Sequence, residues 1–243
     1  LFNFVESELL YAEENIADGL GYGKTNKTAV RMLLAKLYLN AAVYTGTSRY
    51  ADALTYAGKV ITEGGYSLDP DFASIFSADN FGSNEIIYPL IADALTSQSY
   101  GNTTYIVNGC LSTETMTLSD FGATEGWSGH RATKAWYGLF GDLATSTDDR
   151  AQLFWTSGHT YEMNDYKEWS NGYAVTKFRN TNYYSPTTPT AFSGTDFPLF
   201  RLADAYLMYA EADIRANGSP STQSLNYVND VRTRSHADPI ALN

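Results

Sequence analysis

The sequence predicts a mainly α-helical chain, built of tetratricopeptide-like helical hairpins with long irregular loops and a few short strands. Three observations predict it. Apolar residues recur at three- and four-residue steps over two segments of hairpin length, about 25–64 and 198–235. Those two segments also match each other. The span between them, about 85–197, loses the helical period and carries all four tryptophans among Gly, Ser, Thr and Asn.

In chain order, residues 6–16 carry Leu9, Leu10, Ala12 and Ile16 at helical spacing, and the Gly19–Gly23 loop breaks that helix. Lys24-Thr25-Asn26-Lys27 leads into a stronger one, whose Val30, Leu33, Leu34, Leu37, Tyr38 and Ala41 keep one face apolar for three turns. A turn at 45–48 follows. Tyr50, Ala53, Leu54, Ala57, Val60 and Ile61 then form its partner, stopped by Gly64-Gly65. Residues 85–91 and 173–178 read as short strands, and 131–140 as a short helix. Pro198 suits the first turn of the next helix, where a missing N–H costs nothing. Leu199, Leu202, Ala203, Tyr206, Ala210 and Ile214 follow, with Leu207, Met208 and Tyr209 on other faces, so that helix is buried between neighbours. Asn217-Gly218 ends it and Ser219-Pro220-Ser221 starts the last helix, with Leu225, Val228 and Val231.

The internal match is specific in position. Ala35, Leu37 and Ala42 correspond to Ala205, Leu207 and Ala212 at an offset of 170, and Leu54, Tyr56 and Val60 to Leu225, Tyr227 and Val231 at 171. The extra residue falls in the turn, where insertions disturb least. Each unit has about the length of a tetratricopeptide repeat, with small residues where two helices approach.

Composition narrows the function. A net charge of −11 lacks the clustered cations that nucleic acid or anionic lipid demands. Cys110 is the single cysteine, so no intrachain disulfide forms. No run of about 18 apolar residues suits a membrane span. The three histidines, His130, His159 and His236, have no metal-ligand spacing, and no nucleophile elbow or phosphate-binding glycine loop follows a strand. Acids abound in the loops (Asp120, Glu125, Asp142, Asp148, Asp149, Glu162, Asp165), but sequence pairs no two of them across a sugar as a glycosidase requires. The expectation is a protein that is not an enzyme and needs no cofactor. Asp148-Asp149 leaves structural calcium open, without an EF-hand spacing.

Charges on the last hairpin read as struts between helices, Arg201 with Asp204 and Glu211 with Arg215 or Arg232, because buried charge must be paired. Aromatics are the better functional material. Trp and Tyr faces stack on the C–H faces of pyranose rings while amides take hydroxyls. Trp127, Tyr100, Tyr105, Asn102 and Asn108, interleaved with small polar residues, are therefore the candidate glycan-binding residues. The alternative is that some of these rings pin the loop to the helical body.

The ordered set TNKTAVRMLLAKLYLNAAVYTG, YADALTYAGKVITEGGYSL, SNEIIYPLIAD, EGWSGHRATKAWYGLF, DDRAQLFW, YAVTKFRN and DFPLFRLADAYLMYAEA with LNYVNDVRTRS resembles the SusD/RagB family. That resemblance implies one SusD-like domain over 1–243, two hairpins holding a ligand-binding insertion at 85–197. It also implies a lipid-anchored, non-catalytic glycan-binding protein at the outer-membrane surface, beside a SusC-like TonB-dependent transporter. The family's lipoprotein signal and additional helices are not in this sequence, so the chain reads as a fragment. The competing expectation is a tetratricopeptide-like scaffold for protein partners, without sugar binding.

Overall fold

The computed structural model describes residues 1–17 and 19–241. Helix α1 spans Phe2–Asn15, α2 Lys27–Leu39, α3 Ala41–Thr45 and α4 Tyr50–Glu63. The Asn26 side chain caps α2 by accepting from the Ala29 N–H, so one orphan donor of the first turn is satisfied. After the loop-rich span, α7 covers Leu202–Asn217 and α8 Thr222–Arg234. Gly218 takes the left-handed conformation that closes α7, and the Ser221 hydroxyl accepts from Ser224 N–H to open α8.

The helices form one layered body in which α2 packs on α4, α4 on α7, and α7 on α8. Small residues at the crossings let backbones approach: Ala29, Ala35, Ala57 and Ala205 are buried beside Met32, Val60 and Met208. Each fully buried large side chain there contributes on the order of 1.5–3 kcal/mol. Helix α1 is tied on by ion pairs, Glu13 receiving Arg31 at 2.9 Å and Lys59 at 3.3 Å, while Tyr38 donates to Glu6 at 2.9 Å.

The internal match holds in its second half: α4, displaced by 171, coincides with α8 to within a residue. Its first half departs from expectation. Residues 197–201 are not the opening turn of a helix. They form strand β5 (Phe197–Arg201), antiparallel to β1 (Ile86–Leu90), with Pro89 opposite Pro198. A two-stranded ribbon tolerates both prolines because each strand is an edge with one side free of ladder bonds. Helix α7 therefore begins five residues later than the α2 match implies.

The predicted Arg201–Asp204 strut is also replaced. Arg201 pairs with Glu85 at 2.7 Å, Arg234 pairs with the other oxygen at 2.6 Å, and Asp69 N–H donates to that oxygen at 3.1 Å. Asp204 instead takes Lys36, and Arg232 donates to the Asp238 carbonyl rather than to Glu211. Glu211 with Arg215 forms as expected, at 2.8 Å.

Asp213 ties the turn between α7 and α8, accepting from Ser221 N–H at 2.7 Å, Ser224 hydroxyl at 2.5 Å and Asn217 amide at 2.8 Å. Burial acts to raise its pKa, but these bonds outweigh burial and hold it down at about 2. A carboxylate depressed in the fold contributes stability above its unfolded pKa and loses it as pH falls through the folded one. Asp213→Asn is therefore expected to be less stable at neutral pH by about 1–3 kcal/mol, with the difference shrinking from about pH 4 toward 2. Urea melts of both proteins across that window check it, and a gap independent of pH would refute it.

The loop-rich span holds three-stranded sheet β2-β4-β3 (Arg131–Ala132, Tyr173–Val175, Phe154–Trp155) and helices α5 (Asn102–Gly109) and α6 (Lys134–Tyr137). The single helix expected over 131–140 is thus a strand, a four-residue helix and a 3-10 turn, because Arg131 and Ala132 are drawn into pairing with Ala174 and Tyr173. Loops are pinned by backbone contacts: a Cβ on Gly122, at φ +70°, would lie 2.1 Å from the Asn180 carbonyl oxygen. That position requires glycine for both conformation and space.

Candidate functional site

The site is assembled around α5. Thr103 donates its hydroxyl to the Thr195 carbonyl at 2.5 Å, and Ser193 N–H donates to the Thr104 hydroxyl at 2.9 Å. Both threonines are buried, so α5 is bonded side-on to the 193–195 segment and Phe192 is carried beside Tyr100. At the C-terminal end of α5, the free carbonyls that any helix leaves are taken by the Trp127 segment. Trp127 N–H donates to Asn108 O at 2.8 Å and His130 N–H to Gly109 O at 2.6 Å, and just past the helix Ser128 N–H donates to Leu111 O at 2.8 Å.

Gly109 makes this approach possible. A Cβ there would sit 2.3 Å from Nδ1 of His130. The imidazole consequently lies edge-on against Tyr105, with ring centres 4.5 Å apart.

Tyr100, Tyr105 and Trp127 come together. Trp127 lies 6.1 Å from Tyr100 and 6.2 Å from Tyr105 between ring centres, and Tyr100 lies 5.1 Å from Phe192. Their exposures are 59% for Tyr100, 54% for Tyr105 and 37% for Trp127. Rings so exposed yet mutually packed form a fixed platform, because each is held by the next while a face or edge stays open to solvent. Glu125 accepts from the Trp127 indole N–H at 3.3 Å and orients it.

The two amides separate. Asn102 opens α5 at the rim, exposed, with φ +52° and its amide 3.5 Å from the Ile91 carbonyl. Asn108 is a correction: at 3% exposure it is beneath the platform, not on it. Its backbone carbonyl receives Trp127, and its side-chain Nδ2 is buried without a partner. Helical phase alone would set Asn108 on the face of Tyr105, three residues earlier; tertiary packing decides otherwise, since the 127–130 segment is bonded over the Asn108 and Gly109 carbonyls at this end of the helix.

Sequence reasoning missed His130 and Phe192. His130 carried a signal, adjacency to Trp127 in Gly126-Trp127-Ser128-Gly129-His130, whereas Phe192 carried none. Trp155 and Trp169 pack partly buried against the core around Val107 and Phe121, and Trp136 stands edge-on to Phe154. The loop acids are engaged locally. Asp148 receives Arg150, Asp149 receives His236, Glu162 receives Lys134, and Asp142 and Asp165 accept backbone N–H groups.

Fold and platform together define a helical-hairpin scaffold that displays an aromatic surface from a loop-rich insertion. The SusD family model matches residues 127–243. The starch-binding protein SusD of Bacteroides thetaiotaomicron is 30% identical, the alignment covering 97% of this chain and 50% of that protein. A SusD-like protein of Bacteroides ovatus is 27% identical over 96% of this chain and 44% of its own length. A SusD superfamily protein from Parabacteroides distasonis superposes with a TM-score of 0.73 at 26% identity, over 98% of this chain and 50% of that one. The chain is thus similar to SusD-family proteins, by the family model over its C-terminal part and by curated relatives over nearly all of it, and it spans about half the length of the relatives it matches.

Proposed function

We propose that this chain provides the glycan-binding surface of a non-catalytic cell-surface protein that hands oligosaccharides to a SusC-like TonB-dependent transporter. The observation that carries it is the convergence of Tyr100, Tyr105 and Trp127 into one exposed platform. Exposed aromatic faces, tilted against one another beside amide and carboxylate rims, suit pyranose rings, whose C–H faces are apolar and whose edges are hydroxyls. The kinship with a protein named for starch binding supports the same ligand class. Glu125, the carboxylate bonded to the platform, favours neutral over anionic glycans.

In this reading residues 1–243 act as one domain, the hairpins at 25–64 and 198–235 holding the insertion at 85–197. Binding calls for no cofactor. Lipid anchoring at the outer-membrane surface and the transporter partner come with the family. No helix among the described residues is long and apolar enough to cross a membrane.

A scaffold for protein partners is the second reading. It is favoured by a groove of about 480 Å³ between α1, α2 and α7, where Leu33 and Leu207 are exposed. Calorimetry against a panel of neutral and anionic polysaccharides separates the two. Binding to at least one neutral glycan is expected. Silence across the panel, with peptide binding instead, would replace the first reading by the second.

A further inference from the structure

We propose a second saccharide site, separate from the Trp127 platform, in the cavity beside the three-stranded sheet. The cavity holds about 340 Å³ and is walled by Phe154, Tyr161 and Tyr173, with Asp142, Gln152 and Thr156 among its polar lining. Ligand pockets begin at about 300 Å³, so the space suits one sugar ring rather than a large cofactor.

The walls are fixed before any ligand arrives. Tyr137, fully buried, packs with ring centres 5.1 Å from Tyr161 and 4.3 Å from Tyr173, and its hydroxyl donates to the Tyr161 carbonyl. Phe154 and Tyr173 stand on adjacent paired strands, β3 and β4. Tyr161 is nonetheless 45% exposed, far more than a ring serving only as core. Rigid aromatic walls lower the ordering cost of binding.

The polar lining points to hydroxyl donors. Gln152 uses its Nε2 on the Leu143 carbonyl at 3.2 Å, which leaves Oε1 to accept. Asp142 uses Oδ1 on the Ala144 N–H at 3.0 Å, which leaves Oδ2 to accept. Acceptors beside aromatic faces fit a neutral polyhydroxylated ring. One carboxylate is too few for a metal cage and its charge repels anions.

No residue is shared with the platform, which is built from Tyr100, α5, the 126–130 segment and Phe192. The ligand class here follows from the cavity's own chemistry and not from the platform. Two sites on one insertion allow linked binding by a polysaccharide long enough to reach both. Such linkage raises overall affinity by about 10²–10⁴ where the ligand spans both sites.

The test is an amide and aromatic NMR titration of the whole chain with glucose, galactose, mannose and xylose. At least one is expected to shift the Gln152 side-chain amide saturably, with millimolar affinity as befits a ligand of about a dozen non-hydrogen atoms. Trp127→Ala is expected to leave that shift in place, and Tyr161→Ala to weaken it about tenfold, the loss of one stacked ring. Should Tyr161→Ala fail to fold, Gln152→Ala, at an exposed position, is expected to weaken it as well. Absence of a shift at Gln152 with all four sugars overturns the inference, whether or not the platform binds. A shift abolished by Trp127→Ala also overturns it, since the two would then be one site. Binding at Gln152 with a silent platform would instead sink the Trp127 reading alone.

Discussion

Glu85→Ala is expected to cost this protein about 3–5 kcal/mol, the loss typical of a broken buried ion pair. Glu85 is 0% exposed and holds Arg201 and Arg234 on its two oxygens. Removing it leaves two guanidinium groups facing each other with no carboxylate between them. Burial first, then the repulsion of Arg234, already set Arg201 below its ordinary pKa, against the attraction of Glu85, which raises it. The loss also propagates, because Glu85 links the β1–β5 ribbon to α8 and to the Asp69 backbone. For a chain of this length the melting temperature should fall by roughly 6–20 °C. Thermal and urea unfolding check it, and a loss below about 1 kcal/mol, the value of an exposed pair, would show that the triad is not held dry.

Trp127→Ala is expected to weaken glycan binding tenfold or more while leaving the fold nearly unchanged. Loss of one stacked ring is worth about 1–3 kcal/mol. The indole touches Tyr100 and Tyr105, so its removal also frees both neighbours to move. Stability should hold because the attachments of this segment are backbone bonds, Trp127 N–H to Asn108 O and Ser128 N–H to Leu111 O, which alanine keeps. Calorimetry with the glycan found in the panel, beside a melting curve, reads both quantities. Unchanged affinity would remove Trp127 from the site, and a drop of many degrees would make it a core residue.

The amphipathic segments around α2, α4, α7 and α8 were legible because helical periodicity and caps are local. Asn26, Gly218 and Ser221 act within four residues of the groups they satisfy. The platform was legible in part. Tyr100, Tyr105 and Trp127 stood out as aromatics among small polar residues, and the structure packs them together. Asn108 stood out for the same reason and is buried, because composition carries no information about which distant segment closes over the end of a short helix.

Sequence by itself determined the helical class, the hairpin boundaries from Lys27 to Glu63, the end of α7 and start of α8, and the aromatic character of the insertion. Only the tertiary structure decided that 197–201 is a strand, that Glu85 and not Asp204 neutralises Arg201, and that Phe192 lies beside Tyr100. Those outcomes depend on partners 92 to 116 residues apart in the chain. Local propensity is a fraction of a kilocalorie per residue. A buried ion pair, a strand partner or a ring contact outweighs it, and none of these exists until the chain has closed on itself.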